Sequence, residues 1–245
     1  MKKINLGIRG GGVKTPAIGM LKAFEENGIE VATVSGSSIG AVIAALVAVG
    51  RDANDVFRLL SKFVVAYSEA NRLRGGKGSE IIEDTVNAEC GYLRFKDLEK
   101  PLYITANVGG LWNTREFLFS KETTPDITLG QACRASCSFP FAYERYKLYV
   151  NGKKMKFYDG GMVNNPYLLF TPNEVTVLAT FEKAKINNKS RYKNAWMLPE
   201  EKADFVIKPY VGDMGSFGTP KYIEMSKILG YHAATERIDD LIKLL

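Results

Sequence analysis

The stretch VSGSSIGAVIAALVAVG, Val34 to Gly50, sets a serine among small residues where an extended segment gives way to an apolar helix. Ile29 to Val34 reads as a strand, SGSSIG as the turn, and Ile39 to Val49 as a helix so uniformly apolar that it belongs in a core. In Gly36-Ser37-Ser38-Ile39-Gly40 the serine is the centre of a G-x-S-x-G pattern. Glycines at both ends suit a sharp strand-to-helix turn, which strains the central residue and leaves no room for side chains beside it. Ser38 would then stand above a sheet at the positive end of the following helix. A serine N-cap before an apolar helix produces the same local pattern, so the partners supplied elsewhere decide between the two.

The same alternation flanks this turn. Ile4 to Ile8 reads as a buried strand, followed by RGGGVKTP and a helical segment in which Ile18, Leu21, Ala23 and Phe24 recur at helical spacing until Gly28. Strand, helix, strand, helix with short links predicts a parallel sheet wrapped by helices. Further on, helices are expected through Phe57, Leu60, Phe63 and Val64 and from Glu80 to Asn87, with glycine- and charge-rich NRLRGGKGSE between them. Leu102–Asn107, Arg115–Phe119, Val175–Ala179 and Phe205–Lys208 read as strands. A helix from about Thr128 to Ser138 is stopped by Pro140. Asn151-Gly152 between Tyr146–Val150 and Met155–Tyr158 signals a hairpin, and one helix from Tyr222 to Leu245 closes the chain. No repeat or linker appears, so residues 1–245 are expected to form a single α/β domain.

Composition narrows the classes. The chain has 245 residues, 46% hydrophobic and 24% charged, which suits an ordinary folded protein. No run approaches the roughly 18 apolar residues of a membrane span, and Arg9 interrupts the N-terminal apolar run too early for a signal peptide. Cys90, Cys133 and Cys137 are odd in number, which fits reduced, buried thiols in a cytoplasmic protein and no zinc site. The net charge of +6 is spread along the chain. Without a basic helix interleaved with aromatics it does not point to nucleic acid, and it leaves open a mild attraction to anionic membranes.

A nucleophilic hydroxyl needs a base. His232 is the one histidine; it lies in the amphipathic segment LGYHAATERI, outside any glycine-rich or turn context, which disfavours a Ser-His-Asp triad. Asp159, in FYDGGMVNNP, ends a strand, and Gly160-Gly161 permit a tight turn beside it. Ligands of open parallel sheets bind at the carboxyl edge, although an ordinary Asp-Gly turn fits the same residues. Gly10, Gly11 and Gly12, between the first strand and the first helix, expose successive backbone N–H groups suited to an oxyanion, and Lys14 adds a positive charge. Glycine-rich turns also cradle phosphates, but the phosphate-loop and dinucleotide patterns are absent.

GGGVK at 10–14, GSSIG at 36–40 and DGG at 159–161, in that order, resemble the patatin-like phospholipase family. The similarity extends to AIGMLKAFEENGIEVATVSGSSIGAVIAALVAVG, CRASCSFPFAY and DGGMVNNP, covers roughly residues 4–180 and fades beyond Thr180. The resemblance implies a three-layer α/β/α fold with a mainly parallel central sheet. It also implies hydrolysis of glycerolipid acyl esters by a Ser-Asp dyad without metal or organic cofactor. Carried over by position, Ser38 is the nucleophile, Asp159 the base, and Gly10, Gly11 and Gly12 form the oxyanion loop, supported by Lys14, Gly36, Gly40, Gly160 and Gly161. One departure is Thr15, followed by Pro16, where the family loop usually continues with glycine; this leaves the helix entry open.

Three readings follow: a lipid acyl hydrolase, an acyltransferase using the same dyad, and a catalytically weak lipid- or phosphate-binding module. Leu111-Trp112, Phe139 to Tyr143 and the basic NRLRGGK loop are candidates for weak peripheral membrane contact. The lipid head group, chain length and the need for an activator are left open.

Overall fold

The computed structural model describes residues 2–74, 79–110, 113–139, 145–162, 166–167, 174–182, 200–212 and 219–245. The first strand, β1 (Lys2–Ile8), is followed by α1 (Ala17–Glu26), β2 (Ile29–Ser37), α2 (Ile39–Ala48), α3 (Ala53–Arg74) and α4 (Glu80–Glu89). Next come β3 (Leu102–Gly110), β4 (Asn113–Phe119), α5 (Leu129–Ser136), and a hairpin of β5 (Tyr146–Val150) and β6 (Lys153–Tyr158). The chain continues through β7 (Val175–Ala179), β8 (Phe205–Ile207), α6 (Pro220–Thr235) and α7 (Ile238–Leu244).

One eight-stranded sheet runs β5-β6-β3-β2-β1-β7-β8, with β4 paired to β3. Its centre is parallel: β1 pairs with β2 and β7, β2 with β3, and β7 with β8. β1 is buried without alternation from Ile4 to Ile8, as expected of a strand covered on both faces. The helices α1, α3 and α6 pack on one another, as do α2, α4 and α5, giving the expected three-layer α/β/α arrangement. All ten residues of α2 are buried, so its all-round apolar sequence marks a core helix. Among the described residues no helix is long and apolar enough to cross a membrane.

β3 is the strand that positions the site. One of its edges carries β4, antiparallel from Ile104 opposite Phe119 to Gly110 opposite Asn113. The other edge is shared between two strands. Leu102 to Thr105 pair in parallel with Val34 to Ser37 of β2, while Asn107 and Val108 pair antiparallel with Tyr158 and Phe157 of β6. A strand edge holds one neighbour at a time, so β2 and β6 run toward each other along it and their carboxyl ends meet beside Ala106. Phe157 secures β6 there, its ring 5.2 Å from those of both Phe117 and Phe119.

Asp159 follows the hairpin strand, as expected, and that strand runs antiparallel to β3, reaching the site from the opposite end of the shared edge. The strong Asn151-Gly152 turn reverses the chain and sends β6 against the direction of β3. Two sequence expectations change, the closing helix and the NRLR segment. The closing helix is two helices: Arg237 stacks over Phe205 at 4.2 Å and donates to the Val206 carbonyl, pinning a break after which Ile238 and Leu241 turn into the core. Asn71 to Arg74 are helical, because no glycine or proline interrupts α3 before Gly75. Leu111-Trp112, Phe141 to Tyr143 and Gly75 to Lys77 lie outside the described residues.

Candidate active site

Ser38 leaves β2 with φ 52° and ψ −129°, a conformation that costs a non-glycine residue on the order of 1–3 kcal/mol. The surrounding glycines let three chain segments close around it. A Cβ on Gly36 would lie 2.2 Å from the Gly40 carbonyl oxygen, one on Gly40 would lie 2.3 Å from that of Ile8, and one on Gly10 would lie 2.5 Å from Ser38 Cβ. The Ser38 carbonyl accepts the Ala41 N–H at 2.8 Å, opening α2. The Ser38 N–H donates to Ser136 Oγ at 2.7 Å.

Ser38 Oγ donates to Asp159 Oδ2 at 2.7 Å. The other carboxylate oxygen accepts the Gly161 N–H at 2.8 Å. The Asp159 backbone is held at both ends, its N–H donating to the Ser138 carbonyl at 2.9 Å and its carbonyl accepting from Asn107 Nδ2 at 2.7 Å. Gly160 packs so closely on β3 that a Cβ would lie 2.1 Å from the Thr105 oxygen. Asp159 is only 4% exposed, and burial pushes its pKa from 3.8 up to about 6, against the opposing hydrogen bonds from Ser38 and Gly161. The Cys137 thiol faces the same two side chains and is pushed well above its usual range, chiefly by burial and then by Asp159. It therefore stays protonated, as a packing group.

The glycine loop lies across the site. Gly12 has φ 62°, which suits glycine. The Gly10 N–H donates to Ser37 Oγ at 3.2 Å, so Gly10 shapes the turn rather than offering a donor. The N–H groups of Gly11 and Gly12 donate to no described group. Behind the loop stands Phe181, so near that a Cβ on Gly11 would lie 2.4 Å from its ring. Arg9 and Lys14 both sit over this ring, at 5.7 and 5.8 Å. Burial lowers the Arg9 pKa, and Glu200 partly restores it. Thr15 is buried, its N–H donating to Ser226 Oγ on α6 at 3.1 Å, and Pro16 occupies the N-cap of α1.

Ser38, Asp159, Gly10, Gly36, Gly40, Gly160 and Gly161 thus come together, while Lys14 lies beside them on Phe181. His232 is exposed on α6 next to Tyr231. Sequence reasoning missed Ser136, Asn107 and Phe181. Ser136 carried one signal, its place inside CRASCSFP; Asn107 looks like any strand residue, and Phe181 like any apolar residue just past a strand. Among the described residues no group of three or more His, Cys, Asp and Glu side chains could hold a metal ion. The arrangement can pass a hydroxyl proton directly to a carboxylate, beside two backbone donors and a helix N-terminus.

Known proteins similar to this chain bear on its family and its fold. The chain is 29% identical over 189 residues to the uncharacterized protein YqhO of Bacillus subtilis, covering 66% of this chain and 65% of that one. It is 26% identical over 210 residues to the uncharacterized protein R571 of Acanthamoeba polyphaga mimivirus, covering 77% and 69%. The chain therefore spans about two thirds of the curated relatives it matches. Its fold is similar to VipD from Legionella pneumophila, with a TM-score of 0.61, 16% identity, and coverage of 98% of this chain and 67% of that one. It is equally similar to ExoU, solved with SpcU from the type III secretion system of Pseudomonas aeruginosa, with a TM-score of 0.61, 17% identity, and coverage of 99% and 52%. The patatin-like phospholipase profile matches residues 6–171, a span that takes in the glycine loop, the Ser38 turn and Asp159, and the chain belongs to that family.

Proposed function

We propose that the protein is a lipid acyl hydrolase of the phospholipase A or lysophospholipase type, working through a Ser38–Asp159 dyad. The observation that carries this reading is the 2.7 Å hydrogen bond between the hydroxyl of a strained turn serine and a buried carboxylate. Asp159 accepts the Ser38 proton as Oγ attacks the ester carbonyl carbon, and the N–H groups of Gly11 and Gly12 receive the developing oxyanion. Collapse of the tetrahedral intermediate breaks the ester bond, and the leaving alcohol takes the proton from Asp159. Water then attacks the acyl-serine, its proton passing to Asp159 and on to Ser38 Oγ as the fatty acid leaves. An aspartate is ordinarily too weak a base for this step near neutrality, and the shelter that raises Asp159 to about 6 is what suits it.

Substrate in a lipid surface implies weak peripheral contact with anionic membranes. Phe139, 45% exposed just beyond α5, is the described member of the apolar group expected at that contact. Co-sedimentation with anionic vesicles at low salt tests it, and absence of binding removes it. For the chemistry, p-nitrophenol release from a short- and a long-chain ester is compared for wild type, Ser38→Ala and Asp159→Asn. Both folded variants should lose at least about 10³-fold in kcat. Wild-type turnover by Ser38→Ala would end the reading.

A further inference from the structure

We infer that Ser136, in the last turn of α5, is a positioning residue for the nucleophile: its hydroxyl holds the Ser38 backbone in the turn that presents Oγ to Asp159. The inference rests on the proposed dyad. Ser136 is fully buried, and its Oγ has two partners of fixed sense. The Ser38 N–H can only donate, and does so to Ser136 Oγ at 2.7 Å, while the Thr105 carbonyl can only accept, and does so from Ser136 Oγ at 2.7 Å. The hydroxyl thus relays a hydrogen bond from the first N–H beyond β2 to Thr105 of β3, which pairs with Ser37, the last residue of β2.

Its position also touches the other half of the site. Gly160 packs on the Thr105 carbonyl, and a Cβ there would lie 3.2 Å from Ser136 Oγ. One side chain therefore stands where the Ser38 turn, β3 and the turn after Asp159 converge. The support beneath it is tied to the neighbouring helix, since Arg134 pairs with Glu83 of α4 at 3.0 Å. Ser138, two residues on, shows the ordinary use of a serine at a helix end, donating to the Arg134 carbonyl of its own helix at 2.9 Å. Ser136 spends its hydroxyl outside its own helix. Without it, Ser38 keeps a strained φ and loses the acceptor for its N–H, and the turn relaxes in a way that draws Oγ off the carboxylate.

The test is the rate of labelling by a fluorophosphonate, with the modified residue identified by mass spectrometry, alongside the pH profile of ester hydrolysis. Wild type should label at Ser38. Ser136→Ala should label about 10²-fold more slowly, the scale of loss expected when a reacting group is misplaced by about 1 Å. Its kcat should fall in parallel with little change in KM. The profile midpoint should move above about 6, because the Ser38 hydrogen bond that lowers the Asp159 pKa is loosened. The Cys137 thiol, which also faces Asp159, titrates far above this range and does not confuse the reading.

Thr128→Ala removes the cap at the other end of α5; it should lower thermal stability and leave the labelling rate and midpoint unchanged. Ser136→Cys, which keeps the side-chain shape but offers a weak acceptor, repeats the comparison should the alanine variant fail to fold. Labelling of the Ser136 variants at the wild-type rate with an unshifted midpoint overturns the inference while leaving the dyad intact. A folded wild type that does not label at Ser38 overturns the dyad, and this inference with it.

Discussion

Replacing Asp159 by asparagine should make the protein more stable at alkaline pH while abolishing the proposed chemistry. In the unfolded chain Asp159 ionises near 3.8, and in the folded protein near 6. Below about pH 4 both states hold the proton and the site carries no electrostatic penalty. Between about 4 and 6 the unfolded chain has released it while the folded one has not. The folded state then binds more protons, and stability falls as pH rises. Above about 6 the full cost is present: roughly two pKa units at 1.36 kcal/mol each, or about 3 kcal/mol. Asparagine is neutral throughout. Its carbonyl can accept the Gly161 N–H and its amide can donate to Ser38 Oγ, replacing both bonds of the carboxylate. Denaturant titrations of the two proteins from pH 4.5 to 8.5 measure the difference. Glu25 and Glu116, also raised by burial, are present in both and cancel. The variant should lead by up to about 3 kcal/mol at pH 8, about 6–12 °C in Tm, and the gap should close toward pH 4.5. A variant no more stable than wild type at pH 8, or a gap independent of pH, would refute the claim that a desolvated carboxylate sits beside Ser38.

For wild type, kcat/KM should rise with pH through a midpoint near 6 and level off above it, since the proposed base is the ionised form of Asp159; a midpoint near 4 on a soluble ester would count against a buried base. Gly10→Ala puts a Cβ 2.5 Å from Ser38 Cβ and 2.6 Å from the Ser37 oxygen, so kcat should drop about 10²-fold, which steady-state kinetics on the folded variant checks. Arg237→Ala releases the α6–α7 break from Phe205 and Val206; it should cost about 1–2 kcal/mol in denaturant titrations and leave kcat unchanged.

The legible part of this molecule is the part written in local rules. The alternation of strand and helix, the Gly36–Gly40 turn, the all-apolar α2 and the Asn151-Gly152 hairpin each follow from residue types within about ten positions, and the fold contains each of them. The patatin-like resemblance then linked Ser38 to Asp159 across 121 positions, a distance no periodicity spans. What stayed hidden depends on contacts between remote segments. Ser136 is a small residue in an ordinary helix end until Thr105 and the Ser38 N–H are brought beside it. Phe181 matters because Gly11 happens to abut it. The break at Arg237 has no glycine or proline to announce it, since a cation–aromatic contact with β8 makes it.

The meeting of β2 and β6 along one edge of β3 offers a reason why a serine here could dispense with histidine. Neighbouring strands of a parallel sheet lie about 4.8 Å apart and send their carboxyl ends the same way, so residues leaving two of them point alongside each other. A third side chain can then bridge hydroxyl and acid. Strands that run head-on along one edge instead aim their last residues at each other, and Ser38 Oγ reaches Asp159 Oδ2 directly. The same approach carries Asp159 beneath the end of α5, where the Ser138 carbonyl takes its N–H and the Cys137 thiol covers it. Contact and burial thus come from one topological choice. The burial that would make the aspartate basic enough to replace an imidazole is also what costs the folded protein stability above pH 6. Catalytic basicity and that instability are one free energy of about 3 kcal/mol, so any substitution that relieves the second should weaken the first.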